Sequence, residues 1–460
     1  MDRRSFVVTG AAALAGCIAP RGVSRGAAVV AASPMRANRP VPSHAQLAWQ
    51  RDELAMFCHF GVNTFSDREW GDGTENPAIF DPAHFDARQW ARTARAAGFR
   101  AMILTAKHHD GFCLWPTATT RHSVASSPWR DGHGDVVREF VDACRAEGLT
   151  PGLYLSPWDR NNPAYGDSPR YNTLYREQLT ELLTRYGAIG EVWFDGANGE
   201  GPNGKKQVYD WPHTWALVRR LQPDAVMFSD AGPDVRWCGN ENGIAGDPDW
   251  STVDPDVVTY PGESGPLIIP ALQHGDPAGS VWRPAEADVS IRPGWFYHPA
   301  ENERVRSVDS LMSLYFSSVG RNSKLLLNVP PTRDGVLHDV DVARLLEFRT
   351  SRDAVFARNL AANAPTTWRR TGNHSAVLET DLGAARTMRV ARLAEPIERG
   401  QVVSRYTLYG ANDDWVPLSH GTTIGYAKLD QIEPTRVRQL RLVIEDAEDE
   451  PRRVVMDVFA

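Results

Sequence analysis

The sequence predicts an α/β protein, a (β/α)8-like barrel followed by a C-terminal all-β sandwich. Three observations carry this. From about residue 54 short apolar runs alternate with amphipathic stretches, as βα units around a parallel sheet require. A length of 460 residues suits a barrel of roughly 250 to 320 residues plus a smaller module. Beyond about residue 360 the pattern turns to short alternating strands separated by turns. The expected divisions are a leader and tether at 1–43, the barrel at 44–360 and the sandwich at 361–460.

The elements follow in chain order. Arg3 and Arg4, then Ser5, Phe6 and an apolar stretch over 7–16, resemble a twin-arginine export signal. Leu14, Ala15, Gly16 and Cys17 resemble a bacterial lipobox, whose cysteine is acylated after cleavage. A Pro-, Arg- and Ala-rich tether runs on to about Ser43. The expectation is an exported protein, periplasmic or held at the cell envelope through a lipidated Cys17. Residues 55–61 (AMFCHFG), 101–106 (AMILTA), 152–156 (GLYLS), 191–194 (EVWF), 225–229 (AVMFS) and 324–329 (KLLLNV) read as six barrel strands. Between them, 86–97, 134–147, 171–186 and 209–221 carry apolar residues at helical spacing. The stretch 231–295 is rich in Gly, Pro, Asp and Trp with little periodicity, and is expected to form long loops that build the site at the barrel mouth. A helix over about 339–362 leads to the strands VLETDLG, MRVARLAE, VVSRYTLYG, WVPLS, QLRLVIED and VVMDVFA.

Composition narrows the partners. With 50 basic against 57 acidic residues and no basic stripe along the chain, charge recommends neither nucleic acid nor an anionic membrane, and favours a neutral substrate. Fifteen tryptophans add modest support for a sugar ligand, because broad indole faces hold the apolar faces of sugar rings. Apart from Cys17, the cysteines Cys58, Cys113, Cys144 and Cys238 lie far apart, which suggests neither a zinc spacing nor a disulfide framework.

In a parallel barrel, residues at the C-terminal ends of strands face the mouth. Here those ends supply His59, then Lys107, His108, His109 and Asp110, then Tyr154, then Trp193 and Asp195. One such residue is commonly a satisfied buried polar group; four consecutive loaded strand ends are not explained that way. Three histidines and an aspartate also suit zinc or iron. Against a metal, His108 and His109 are adjacent on an extended strand end, where side chains are expected to diverge, and there is no H-x-H or H-E-x-x-H pair. Neutral imidazoles hydrogen-bonding to sugar hydroxyls account for them, so no metal is expected. No G-x-S-x-G elbow stands between a strand and a helix. Two-carboxylate glycosidase chemistry fits better, with one ionised and one protonated carboxyl about 5 to 5.5 Å apart for retention. Asp195 is the candidate for the ionised group, between Phe194 and a Gly196 expected to leave room for a ring.

At this point a resemblance becomes specific. EVWFDGANG resembles the nucleophile strand of glycoside hydrolase family 29, the α-L-fucosidases, and MFCHFGVNTF with AKHHDGFCLWPT is similar to that family's first two strand ends. The resemblance runs from about Leu47 to the C-terminus, where LAEPIERGQ and HGTTIGYAKL resemble the branch that cleaves α-1,3 and α-1,4 fucosyl linkages. It implies that Asp195 is the nucleophile and that His59, His108, His109, Tyr154 and Trp193 bind fucose, with Glu69 and Trp70 of REWGDG supplied from the first loop. It also implies a fucosylated oligosaccharide or glycoprotein glycan as substrate, and no cofactor. For the acid/base it points to Glu241, since the GNE run in GPDVRWCGNENG resembles the acid/base loop of that branch; Glu263 and Glu286 compete. Trp193 and Phe296 are candidates for an apolar wall facing the fucose methyl. The sandwich is expected to buttress the barrel rather than bind sugar by itself. The rival readings are a catalytically silent fucosyl-glycan-binding protein and a retaining glycosidase for another sugar.

Overall fold

The computed structural model describes residues 39–460; Arg3, Arg4 and Cys17, on which export and lipidation rest, lie outside the described residues. Among the described residues no helix is long and apolar enough to cross a membrane.

The chain first lays down β1 (Leu54–Cys58), β2 (Ala101–Lys107), β3 (Thr150–Leu155), β4 (Glu191–Trp193), β5 (Val226–Phe228) and β6 (Arg236–Trp237). Two short strands, β7 (Thr252–Val253) and β8 (Val281–Trp282), then pair antiparallel with each other, and β9 (Ala285–Ser290) and β10 (Lys324–Asn328) follow. The parallel sheet runs β5-β4-β3-β2-β1-β10-β9-β6, and a parallel bridge between Phe228 and Val235 joins its two ends into a nearly closed barrel. Successive residues on a strand point to opposite faces. Ala55, Phe57, Ile103, Tyr154, Trp193, Val226, Phe228 and Leu326 therefore pack inside the barrel, whereas Met56, Met102, Leu104, Leu153, Val192, Met227, Leu325 and Leu327 pack outward beneath the helices. Burial on both faces is why these strands read as continuous apolar runs.

The outer helices match the amphipathic stretches. In Ala87–Ala97 the buried face is Trp90, Ala91, Ala94 and Ala97; the Asp86 side chain accepts the Gln89 N–H at the start, and Gly98 closes the end at φ +88°. The helix expected over 339–362 stops at Val355. The chain beyond it is drawn into the sheet instead, where the Leu360 N–H donates to the Val458 carbonyl at 2.8 Å.

The stretch 231–295 is not loop throughout. It holds β6, β7, β8, β9 and the helix Ile268–His274. β9 escapes a hydropathy reading because its alternate residues Glu286, Asp288 and Ser290 are polar yet buried, and β6 is two residues long, too short to carry a period.

The C-terminal strands are β11 (Thr366–Arg370), β12 (Ala376–Ala394), β13 (Val403–Ala411), β14 (Trp415–Gly421), β15 (Lys428–Ala447) and β16 (Val455–Phe459), all paired antiparallel. β12 merges two segments that read as separate strands, with register shifts at Asp381/Arg386 and Met388/Val390 where it pairs with β15. Such irregularities bend a sheet and let one long strand serve both layers of a core, here lined by Leu378, Leu393, Tyr406, Leu408, Leu440, Leu442 and Val458. A buried polar seam ties this module to the barrel end that carries the start of β10. Asn322 Oδ1 accepts the Tyr426 N–H at 2.9 Å, the Tyr426 hydroxyl donates to the Ser323 carbonyl at 2.8 Å, and Gln401 Nε2 donates to the Asp249 carbonyl at 3.0 Å.

Candidate active site

The site is the opposite end of the barrel, where the strands finish. At its centre Asp195 follows β4, its side chain 16% exposed. Its Oδ1 accepts the Ala197 N–H at 2.6 Å, its Oδ2 accepts the Tyr154 hydroxyl at 3.3 Å, and His109 Nε2 stands 4.0 Å from Oδ2. These donors fix the direction of the carboxylate. Gly196 does not leave room for a ring. A Cβ there would meet the Gly262 backbone nitrogen at 2.6 Å and Asp230 Oδ2 at 2.7 Å. Glycine is needed because the 257–265 loop presses on the backbone just beyond Asp195.

Three histidines line one side. His59 donates from Nδ1 to Asn328 Oδ1 at 2.8 Å, and the Asn328 amide nitrogen donates to Ser290 Oγ at 2.9 Å and the Trp295 carbonyl at 2.8 Å. Burial pushes the His59 imidazole down to about 4, so near neutral pH it is uncharged and its Nε2 is an acceptor for a hydroxyl. Burial, with His109 and His59 adding to it, also holds His108 well below the ordinary imidazole range. The Ser156 hydroxyl donates to the Trp158 carbonyl at 2.8 Å, so it accepts from His109 Nδ1 at 2.7 Å. The rings of His108 and His109 do not diverge; their centroids lie 4.1 Å apart. β2 ends at Lys107 after a register shift against β3, and the Gly111 N–H donates to the His108 carbonyl, so strand alternation has given way to a turn. Among the described residues no group of three His, Cys, Asp or Glu is arranged to hold a metal ion.

Aromatic rings complete the walls. Trp70, 38% exposed, meets His109 at 5.7 Å and Trp158 at 5.9 Å, both edge-on. Trp193 stacks on Phe228 at 4.0 Å beneath the site and lies 5.3 Å from Tyr154. Phe296 is fully buried, behind His59 and His108. The half-buried Trp295, 5.2 Å from His59, is the ring of that segment that reaches the mouth. Glu69 fixes it there: its carboxylate accepts the Trp295 N–H and the Phe296 N–H, the latter at 3.2 Å. Burial pushes the Glu69 carboxyl up.

Two strand-end residues face elsewhere. Lys107 is fully buried outside the barrel, its Nζ donating to Asp159 at 3.2 Å, Tyr171 at 3.2 Å and Gln178 at 3.0 Å. Asp110 holds its own turn, accepting the Phe112 N–H at 2.7 Å and Asn63 Nδ2 at 3.1 Å; burial pushes its carboxyl up to about 7.

The three glutamates separate cleanly. Glu241 is exposed on the 238–244 loop directly after β6. This loop is anchored to β9 by the Cys238 N–H on the Glu286 carbonyl (2.9 Å) and the Gly243 N–H on the Asp288 carbonyl (3.1 Å), so Glu241 follows the C-terminal end of β6. Glu263 closes its own turn, accepting the Thr259 N–H at 2.7 Å and hydroxyl at 2.9 Å. Glu286 has no exposure at all. It sits inside the barrel opposite Lys324, at the start of β10, and accepts Trp193 Nε1 at 3.0 Å. Burial, then the neighbouring Glu191, pushes its carboxyl well up. Under the tryptophan, it cannot reach a glycosidic oxygen at the mouth. Asn328, Trp158 and Trp295 escape sequence reading; only their position at or just after a strand end marked them.

Comparisons agree with this architecture. The family model described as Alpha-L-fucosidase matches residues 47–350. Alpha-L-fucosidase 1 of Arabidopsis thaliana is 42% identical over 443 residues, covering 90% of this chain and 86% of the relative. A crystal structure of a glycoside hydrolase 29 family member from an unknown rumen bacterium is 42% identical, with a TM-score of 0.84, covering 91% of this chain and 77% of that one. A Ruminococcus gnavus GH29 fucosidase, solved in complex with fucose, is 33% identical, with a TM-score of 0.81, covering 91% of this chain and 95% of that one. Matched along its barrel and carrying a carboxylate at the centre of its mouth, the chain belongs to glycoside hydrolase family 29, the α-L-fucosidases.

Proposed function

We propose that this chain is a retaining α-L-fucosidase that releases terminal L-fucose held by α-1,3 or α-1,4 linkages on branched glycans. The carrying observation is Asp195, partly exposed at the end of β4, with the Tyr154 hydroxyl and the Ala197 N–H donating to its two oxygens. Asp195 attacks the anomeric carbon while protonated Glu241 gives its proton to the departing oxygen. Ionised Glu241 then takes a proton from water, whose oxygen displaces Asp195 and restores the original configuration. His59, His108 and His109 hydrogen-bond the fucose hydroxyls; Tyr154 and Trp193 form the floor; Trp70 stands at the rim and Glu69 acts through Trp295. No cofactor enters.

The test is a panel of α-1,2-, α-1,3- and α-1,4-fucosylated oligosaccharides beside an aryl fucoside, with the released anomer followed by NMR. The expected result is cleavage of the branched α-1,3/4 compounds, weak action on the aryl fucoside and α-fucose as the first product. Efficient α-1,2 cleavage with no preference for branched glycans rules out the linkage assignment, and β-fucose as first product rules out retention.

We also propose export through the N-terminal leader with a lipid tether at Cys17. Lysine at positions 3 and 4 is expected to hold the protein in the cytoplasm, and Cys17→Ala to abolish labelling by a fatty-acid analogue. Unchanged fractionation or persistent labelling, respectively, refutes each part.

A further inference from the structure

Three segments far apart in sequence meet on the C-terminal module to form an open groove of about 690 Å³. The edge strand β11 brings Trp368, Arg369 and Arg370, the turn after Pro396 brings Arg399, and the approach to β16 brings Arg452 and Arg453. One carboxylate, Glu450, lies among these five guanidinium groups, and it pairs with Arg370. Arg452 donates to the Arg399 carbonyl at 2.8 Å. The side chains of Arg369, Arg399 and Arg453 are exposed and have no ion pair or hydrogen bond with the described residues. This local excess stands out in a chain of net charge −7.

The adjoining hollow sharpens the contrast. It shares Pro396 and Arg453 with the groove, but its Arg51 and Arg392 are paired with Glu398 and Glu53. Charged residues on an edge strand also guard against sheet-to-sheet pairing. That accounts for Arg369 and Arg370, but not for Arg399, Arg452 and Arg453, which lie outside β11.

We propose that this groove binds a carboxylated or sulfated polysaccharide. A guanidinium presents a planar fork of N–H donors that matches a carboxylate or sulfate edge, and the half-buried indole of Trp368 offers a face for a sugar ring. An open groove with several separated cations suits a chain of charged sugars better than a single small anion. The site acts as an anchor: it holds the enzyme on an acidic glycan matrix while the mouth works on neutral fucosylated branches, and it is independent of the catalytic assignment.

The test uses the full chain, measured by titration calorimetry against heparin, alginate, neutral dextran and phosphatidylglycerol vesicles, and by affinity electrophoresis against the three polysaccharides, at low salt. Heparin and alginate are expected to bind and dextran not, with binding weakening as salt rises. The triple variant Arg369→Ser, Arg399→Ser, Arg453→Ser is expected to lose affinity by on the order of tenfold or more while cleaving fucosides at the unaltered rate. A control that removes three exposed arginines elsewhere, Arg88→Ser, Arg92→Ser, Arg95→Ser, is expected to bind as before. Absence of heparin and alginate binding, an equal loss in both triple variants, or binding only to phosphatidylglycerol vesicles overturns the proposal.

Discussion

Asp195→Ala is expected to lower kcat/KM by roughly 10⁴-fold or more on every fucoside, aryl or oligosaccharide, because without the nucleophile neither half of a double displacement proceeds. A good leaving group does not help when nothing attacks. Fucose binding should largely survive, since the histidines and rings that hold the sugar keep their own partners: His59 is fixed by Asn328, and His109 by Ser156. The loss should thus appear in kcat, with ligand-induced protection against thermal unfolding retained. Residual activity within about tenfold of wild type on any fucoside would displace Asp195 from the nucleophile's role.

Glu241→Ala is expected to give a loss that depends on the leaving group. A departing sugar alkoxide needs the proton, so hydrolysis of oligosaccharides should fall by on the order of 10² to 10⁴-fold, and that of an activated aryl fucoside far less in the first step. Azide should restore turnover on the aryl substrate and yield α-fucosyl azide, because it displaces Asp195 from the β-linked glycosyl-enzyme without needing a general base. Glu263→Ala should show neither effect, since that carboxylate closes a turn on Thr259. Glu286→Ala should disturb Trp193, whose indole N–H it accepts inside the barrel, and show no azide rescue. Rescue of Glu286→Ala alone would mean that the acid comes from β9 and that the carry-over of the GNE loop is wrong.

Much of the fold was legible because local rules sufficed. Barrel strands buried on both faces read as apolar runs, and helices buried on one face read at helical spacing, as the Trp90 face of Ala87–Ala97 does. Asp195, His59, His108, His109 and Tyr154 were visible because each ends an apolar strand, and strand ends converge at a barrel mouth. What the sequence could not determine were the properties that depend on closure. β9 has an apolar outer face and a polar inner one, so only a closed barrel shows that Glu286 is a buried partner of Trp193 and not a mouth carboxylate. Lys107 sits at a strand end like its neighbours, yet the register shift beside it turns its side chain out to Asp159, Tyr171 and Gln178. Asn328 and Trp295 join the site through partners 269 and more than 230 positions away in the chain, a separation that no local pattern encodes. Six of the eight barrel strands and the central carboxylate followed from local hydropathy and chain order; β6, β9 and which polar residue meets which were decided by long-range closure, because register and packing settle the direction of each side chain only once the ring is formed.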